Sequence, residues 1–238
     1  LPGTGASLLY EEVPHLSEKG LYIYNQFLKP NGMLDNILAL RIKAGLNPYL
    51  LRNMVSMLPC SALPYHESLN AIFVRYSSSR VNKGIKNMVF FEPLPETVAI
   101  LEEKLAPYAE ENNIVVFPYA AGNEEKTIEM YVSDHSMCSS LLAPQVVLTQ
   151  YPGIKFPSKT NVEMIKIDDA EIDFEYNLMN IDVQGYELEV LKGSAETLDK
   201  IDYIYTEINR AEVYENAPHV DELDAFLSPY GFKRVETD

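Results

Sequence analysis

Short apolar runs alternate with amphipathic stretches through most of this 238-residue chain, and this alternation limits its fold more than any other feature. The apolar runs are NAIFV (70–74), NMVFFEP (87–93), NIVVFPYAAG (113–122), NLMNIDVQG (177–185) and IDYIYTEIN (201–209). Apolar residues at helical spacing occupy the segments 94–113, 186–200 and 219–231. Buried runs separated by amphipathic helices are typical of parallel strands joined by crossover helices. We therefore predict an α/β fold with a doubly wound sheet.

Two parts of the chain depart from this pattern. KTIEMYVS (126–133) and NVEMIKIDD (161–169) alternate apolar and polar residues, which predicts a half-exposed antiparallel pair. Residues 1–68 have helical spacing instead, and one helical face would carry Leu34, Ile37, Leu38 and Ile42. We predict a helical N-terminal appendage over 1–68 and one main domain over 69–238.

Charge and cysteine usage narrow the classes of partner. The chain has 35 acidic and 19 basic residues and a net charge of −16, so it repels phosphate backbones and we expect no nucleic acid partner. No apolar run approaches the ~20 residues that a membrane span requires, and residues 1–16 lack the basic start and apolar core of a signal peptide. Cys60 and Cys138 have neither disulfide-framework nor metal-ligand spacing, so we expect reduced thiols in a cytoplasmic protein. Nothing in the sequence indicates an oligomeric state.

Acidic side chains end three of the apolar runs: Glu92, Asp182 and Glu207. In open α/β sheets, ligands bind beyond the carboxyl ends of the strands, where the strand order reverses. A carboxylate at such an edge loses hydration unless something pairs with it. Three of them on one edge therefore predict a site that binds hydroxyl groups or a cation.

Each of the first two acids has a functional and a structural interpretation. Glu92, which ends the second run, can accept hydrogen bonds from both hydroxyls of a ribose, or it can simply favour the start of the next helix. Asp182 lies just before Gly185, where the chain turns into a helix, and it either faces the ligand crevice or caps that helix.

The remaining candidates also have two interpretations. Glu207 either belongs to the site or forms a salt bridge with Arg210 or Lys192. His135 lies in the loop YVSDHSMCSSLL, where it either accepts a proton or is a solvated loop histidine. The sequence contains no cluster with metal-ligand spacing, and we predict no metal.

Several of these segments resemble the FkbM-type family of S-adenosylmethionine-dependent methyltransferases. FFEPLPE, NIDVQGYELEVLKG, YIYTEIN and a closing YGF carry the resemblance, together with MCSSLL and IKIDD. It extends over roughly 69–238, and IDVQGYELEVLKG is its most specific part.

This resemblance implies a Rossmann-like methyltransferase fold that transfers a methyl group from S-adenosylmethionine to a hydroxyl of a small molecule or glycan. Glu92 would hold the ribose, the adjacent Pro93 and Leu94 would also bind the donor, and Ala120 and Ala121 would lie near the adenine. Asp182 would lie near the methionine end and the acceptor. It is our first candidate for the group that accepts or orients the hydroxyl proton, followed by His135 and Glu207.

One segment does not match the family. The family's first strand leads into a loop of the type aspartate–x–glycine–alanine–asparagine–x–glycine, whereas IFV here leads into RYSSSRVNKGIKN. The interval from Val74 to Val89 is also short for a crossover, which needs at least ~10–12 residues. Either the donor loop is degenerate, or the natural protein has further residues, glycines included, between Val74 and Tyr76. An intact mass equal to 27.0 kDa would exclude the second interpretation.

Two alternatives to an active methyltransferase follow from this mismatch. A degenerate donor loop would fit a catalytically inactive, methyltransferase-like binding module. A nicotinamide-dependent oxidoreductase could use a similar sheet, but it needs a glycine fingerprint even more strictly.

Overall fold

The computed structural model describes residues 36–43, 69–74, 85–110, 112–134, 138–150, 152–209 and 213–234. Its strands are β1 (Asn36–Lys43), β2 (Leu69–Val74), β3 (Ile85–Phe91), β4 (Asn113–Phe117), β5 (Ala120–Ala121), β6 (Lys126–Val132), β7 (Ser158–Ile165), β8 (Leu178–Ile181), β9 (Tyr203–Asn209) and β10 (Phe232–Arg234). Its helices are α1 (Pro95–Leu105), α2 (Val146–Gln150), α3 (Glu187–Lys192) and α4 (Val220–Leu227). None of the helices in this described part is long and apolar enough to cross a membrane.

The main sheet has seven strands in the order β10-β1-β9-β8-β2-β3-β4. Five of these strands, β9, β8, β2, β3 and β4, lie side by side and run parallel to one another. They correspond to the five apolar runs of the sequence. The chain goes from β2 outward to β3 and β4, and then returns to β8 and β9 on the other side of β2. The strand order therefore reverses at β2, and the predicted α/β class is confirmed.

Helices cover both faces of the parallel strands, as the alternation of side chains along β3 shows. Met88 and Phe90 pack in a cluster with α1, whereas Val89 and Phe91 belong to the cluster that contains residues of α3 and α4. All four side chains are buried. A strand that is apolar on both faces needs a cover on each side, which explains its continuous apolar sequence.

Particular residues mark where α1 begins and where α4 begins and ends. Pro95 occupies the first position of α1, where its missing N–H is not needed. The backbone N–H of His219 donates to the Glu222 carboxylate at 2.9 Å at the start of α4. After α4 a short 3-10 turn ends at Gly231, whose φ of 82° lies in the left-handed region that glycine adopts readily. The chain then enters β10.

A second sheet of three strands lies beside the main one, in the order β5-β7-β6. β6 pairs antiparallel with β7 along its whole length, from Lys126 opposite Met164 to Val132 opposite Ser158. The antiparallel pair predicted from 126–133 and 161–169 is thereby confirmed, except that β7 ends at Ile165 and residues 167–169 form a 3-10 turn. The two-residue strand β5 joins this sheet through a parallel pairing with β7, so the residues that follow β4 connect the two sheets.

The helix predicted over Leu34–Ile42 is wrong for residues 36–43, which form β1. This strand lies between β9 and β10 and runs antiparallel to both. Leu38, Leu40 and Ile42 recur at every second position, which is the strand period, so a short apolar run of this kind fits both structures in the sequence. Seven paired positions along β9 decide between them. The rest of 1–68 lies outside the described residues.

Candidate functional site

The registers of the parallel strands align one row of residues across the edge of the main sheet. Val74 of β2 lies opposite Phe91 of β3 on one side and Ile181 of β8 on the other. Ile181 in turn lies opposite Thr206 of β9.

Each predicted acid directly follows a member of this row. Glu92 and Asp182 therefore leave the sheet on the same edge, and Glu207 lies at the same level within β9. Glu92 and Asp182 are two strand spacings apart, which is roughly 10 Å.

A cleft opens at this edge beside β3. Its lining combines apolar side chains with one buried carboxylate: Phe91, Glu92, Pro93, Leu94, Ala120, Ala121, Met130, Ser139, Leu141 and Val183. Of the six residues predicted to bind the donor, five lie in this lining and Asp182 does not. Asp182 is adjacent to it in sequence, through Val183.

Glu92 is only 3% exposed although it is an acid. Its backbone N–H donates to the Phe117 carbonyl at 3.1 Å, which extends the pairing of β3 with β4 by one residue. Its Oε1 accepts the Leu94 N–H at 3.0 Å and so shapes the turn that leads into α1. One carboxylate oxygen of Glu92 thus has the structural role of favouring the start of the next helix, and the residue also lines the cleft.

Asp182 does not occupy the cap of α3, because the N-cap residue is Tyr186. The Oδ1 atom of Asp182 instead accepts a hydrogen bond from the side-chain amide of Gln184 at 3.0 Å. The same Gln184 Nε2 donates to Glu207 Oε2 at 2.5 Å. Asp182, which follows β8, and Glu207, which lies in β9, therefore accept hydrogen bonds from the same side-chain amide.

The turn that carries Gln184 has an unusual backbone. Gln184 has a φ of 56° and Gly185 a φ of 101°, both in the left-handed region. Glu187 closes this turn from the first position of α3, because its Oε1 accepts the N–H groups of Val183 at 3.2 Å and Gly185 at 3.0 Å. Glu187 is 1% exposed. Burial raises the pKa of the Glu187 carboxyl to about 7, the hydrogen bond from Gly185 opposes this rise, and the charge of Asp182 adds to it.

Two further segments cover the turn from outside the sheet. The Ser140 Oγ donates to the Gln184 carbonyl at 2.8 Å. The Tyr214 hydroxyl lies 2.9 Å from Gln184 Oε1 and 3.0 Å from the Cys138 carbonyl oxygen. Tyr214 is 1% exposed and packs edge-on against Phe156.

The other two predicted candidates have different outcomes. His135 lies outside the described residues, and its role as a proton acceptor stays a prediction. Glu207 is buried and takes part in the Gln184 network. Lys192, one of its two predicted salt-bridge partners, pairs with Glu189 at 2.6 Å within α3. Arg210, the other one, is outside the described residues.

Three further residues of the site, Gln184, Glu187 and Tyr214, were not predicted from the sequence. Gln184 and Glu187 are part of the motif IDVQGYELEVLKG, so proximity to Asp182 was a usable signal. Tyr214 had no such signal, because it comes from a segment 30 residues further along the chain than Gln184. The part of the chain that the structure describes holds no group of three or more His, Cys, Asp or Glu side chains placed to bind a metal ion.

Comparison with known proteins agrees with the motifs. Residues 68–234 match the model of the methyltransferase FkbM domain. This match extends over more than half of the chain, and the chain therefore belongs to the FkbM methyltransferase family.

Individual proteins resemble this chain over only part of its length. The 2-O-methyltransferase NoeI of Sinorhizobium fredii is 30% identical over 135 residues, which are 52% of this chain and 54% of NoeI. The chain thus spans about half the length of this curated relative. A crystal structure of methyltransferase FkbM from Methylobacillus flagellatus KT aligns with 58% of this chain and 32% of its own, with 19% identity and a TM-score of 0.38.

Proposed function

We propose that this chain is an S-adenosylmethionine-dependent O-methyltransferase that acts on a hydroxyl of a small molecule or sugar. In this proposal the seven-stranded sheet is a Rossmann-like methyltransferase sheet. The observation that carries it is the buried Glu92 carboxylate, which lines a cleft where the strand order reverses in a chain of the FkbM family. NoeI, a relative named as a 2-O-methyltransferase, supports oxygen as the acceptor atom.

The residues of the cleft fit the adenosine half of the donor. A carboxylate can accept from both hydroxyls of a ribose, and Glu92 is held in place by the Leu94 N–H. Ala120 and Ala121 are 5% and 3% exposed and have the smallest side chains that still give an apolar wall, which suits a flat aromatic ring. Phe91, Leu94 and Leu141 complete an apolar lining that excludes water.

The other end of the site supplies the proton chemistry. When bound, S-adenosylmethionine supplies an electrophilic methyl group on a cationic sulfur. Asp182 would orient the acceptor hydroxyl and accept its proton, since it lies at the sheet edge next to Val183 of the cleft. Glu207 lies on the adjacent strand, where it shares the Gln184 amide with Asp182. Alignment of the two reactants can supply ~7–11 kcal/mol of the rate enhancement.

Two measurements test this function. Isothermal titration calorimetry of the 238-residue chain should show binding of S-adenosylmethionine and of S-adenosylhomocysteine. Incubation with methyl-tritiated S-adenosylmethionine and a panel of methyl glycosides should transfer label to at least one glycoside. Periodate cleavage before and after the reaction would show whether a vicinal hydroxyl was methylated.

The failures are equally informative. Absence of binding would favour the inactive binding module, and binding without transfer to any hydroxyl acceptor would contradict O-methylation. A rise in melting temperature with a nicotinamide cofactor in place of S-adenosylmethionine would favour the oxidoreductase, because a ligand at 100 times its Kd adds ~2.7 kcal/mol to stability. The predicted cytoplasmic location and the division at residue 68 stay predictions.

A further inference from the structure

We propose that Gln184 is a positioning residue of this site, which holds the Asp182 and Glu207 side chains together at the sheet edge. The proposal rests on the proposed methyl transfer, and it assigns a role to a residue that is not itself part of the cleft lining. Gln184 links four separate parts of the chain: the end of β8, strand β9, the segment around Ser140 and the segment around Tyr214.

The hydrogen bonds fix the orientation of the Gln184 amide. Its nitrogen has two N–H groups, and these meet Asp182 Oδ1 at 3.0 Å and Glu207 Oε2 at 2.5 Å. Its oxygen accepts from the Tyr214 hydroxyl at 2.9 Å. Rotation of the amide by half a turn would place this oxygen against two carboxylate oxygens, so only one orientation satisfies all four groups.

The backbone of Gln184 is held as firmly as its side chain. Its carbonyl accepts from Ser140 Oγ at 2.8 Å, and the N–H groups on either side of it are bound by Glu187. A φ of 56° is rare for a residue with a long side chain, and here the side chain reaches Asp182 after β8 and Glu207 within β9. Gln184 is 6% exposed and Glu207 5% exposed, so the hydrogen bond between them is shielded from water.

A neutral amide suits this place because it does not titrate. It donates to both acids at once without adding a charge of its own. The titratable groups that surround the amide are Asp182, Glu207 of β9, Glu187 of α3 and Tyr214. A carboxylate in place of Gln184 would have the same shape but no N–H groups, and it would add a third negative charge to the pair.

The test is a comparison of Gln184→Glu with Gln145→Glu. Gln145 is an exposed residue directly before α2, so the second variant makes the same chemical change away from the network. With tritiated S-adenosylmethionine and a methyl glycoside that the wild type methylates, Gln184→Glu should lower kcat about 10- to 100-fold, the cost of a misplaced catalytic group. The acidic limb of its pH–rate profile should move to higher pH. Its Kd for S-adenosylmethionine should stay within about twofold of the wild-type value, because Gln184 is not part of the cleft lining.

Tyr214→Phe provides a second, milder variant if Gln184→Glu fails to fold. It removes only the hydroxyl, which contacts Gln184 Oε1 and the Cys138 carbonyl, and it should lower kcat in the same direction while donor binding is retained. The positioning role would be overturned if the variant that folds, Gln184→Glu or Tyr214→Phe, has the same kcat and the same acidic limb of the pH–rate profile as Gln145→Glu. A wild type that binds no S-adenosylmethionine would instead overturn the proposed function. A thermal melt at pH 5 and pH 8 gives an independent readout, since the added buried acid should destabilise Gln184→Glu more at pH 8.

Discussion

The Glu187 carboxylate reaches back over the start of its own helix and accepts the N–H of Gly185 at 3.0 Å. This contact closes the turn that brings Gln184 to the sheet edge. It also places an acid in a fully buried position, where the desolvation of its charged form raises its pKa from 4.5 to about 7. The turn therefore depends on a group that changes charge near neutral pH.

Glu187 should make the stability of the fold depend on pH. The folded chain binds this proton more tightly than the unfolded chain, so the stabilisation is complete below pH 4.5 and is lost as the pH rises through about 7. At ~1.4 kcal/mol per pKa unit, the loss is on the order of 3 kcal/mol. Urea unfolding of wild type and Glu187→Gln between pH 4.5 and 8 measures it, and the difference between the two free energies of unfolding should change over this range.

The matched control is Glu196→Gln, which removes an exposed acid from the turn after α3. Its free energy of unfolding should follow that of the wild type at every pH. If the Glu187→Gln curve is also parallel to the wild type, the Glu187 carboxyl titrates normally in the folded protein.

Gly193 should tolerate no side chain, for a reason that is purely steric. Its φ of −81° is open to any residue, but a β-carbon on Gly193 would lie 1.8 Å from the carbonyl oxygen of Gly122. A backbone atom cannot move aside as a flexible side chain can, so α3 would have to shift away from the end of β5. We expect Gly193→Ala to lower the free energy of unfolding by ~1–3 kcal/mol or more.

Gly153→Ala is the control for this substitution. A β-carbon at Gly153 meets no atom within 4 Å. The change should therefore be neutral or slightly stabilising, by up to ~1 kcal/mol through the unfolded chain. Equal effects of the two substitutions in urea unfolding would refute the close approach of Gly193 to Gly122.

The sequence was sufficient for the parallel strands but not for β1. Runs such as MVFF (88–91) are apolar at every position, which is typical of a strand covered on both faces, and Met88 and Val89 confirm this by packing in different clusters. NILALRIK fits a helix and a strand equally well. Its structure depends on long-range pairing with β9, which local spacing does not contain.

The candidate site likewise contains residues that local sequence patterns predict and a contact that depends on long-range folding. Glu92 and Asp182 were predicted together because parallel strands end at one edge, a rule that needs only the strand order and direction. The hydrogen bond from Tyr214 to Gln184 depends on how an irregular segment folds over that edge. No periodicity encodes such a contact, and it became visible only in the structure.

Asp168 and Asp169 are neighbours in IKIDD, but they should contribute very differently to stability. Asp168 accepts the Thr197 N–H at 2.8 Å and the Glu196 N–H at 3.0 Å, and so fixes the chain after α3. Asp169 makes a surface ion pair with Lys166 at 3.4 Å and is 56% exposed. We expect Asp168→Ala to cost ~1–3 kcal/mol, because it leaves two backbone donors without their acceptor.

Asp169→Ala should change the free energy of unfolding by less than about 1 kcal/mol, as surface ion pairs contribute little. Urea unfolding of the two variants side by side makes the comparison at one pH and one salt concentration. A larger loss for Asp169→Ala than for Asp168→Ala would show that the surface charge, and not the backbone contact, holds this turn.

Glu92→Gln should weaken donor binding while it preserves the fold. Glutamine has the same shape and keeps one oxygen that can accept the Leu94 N–H, so the turn into α1 survives. The proposed ribose contact loses its charge and one acceptor, and a hydrogen bond to a charged group contributes ~1.5–3 kcal/mol. We therefore expect the Kd for S-adenosylmethionine to rise at least about tenfold in calorimetry. Glu96→Gln, an exposed change in the first turn of α1, should leave this Kd unaltered. Equal affinities of wild type and Glu92→Gln would show that this carboxylate only shapes the turn.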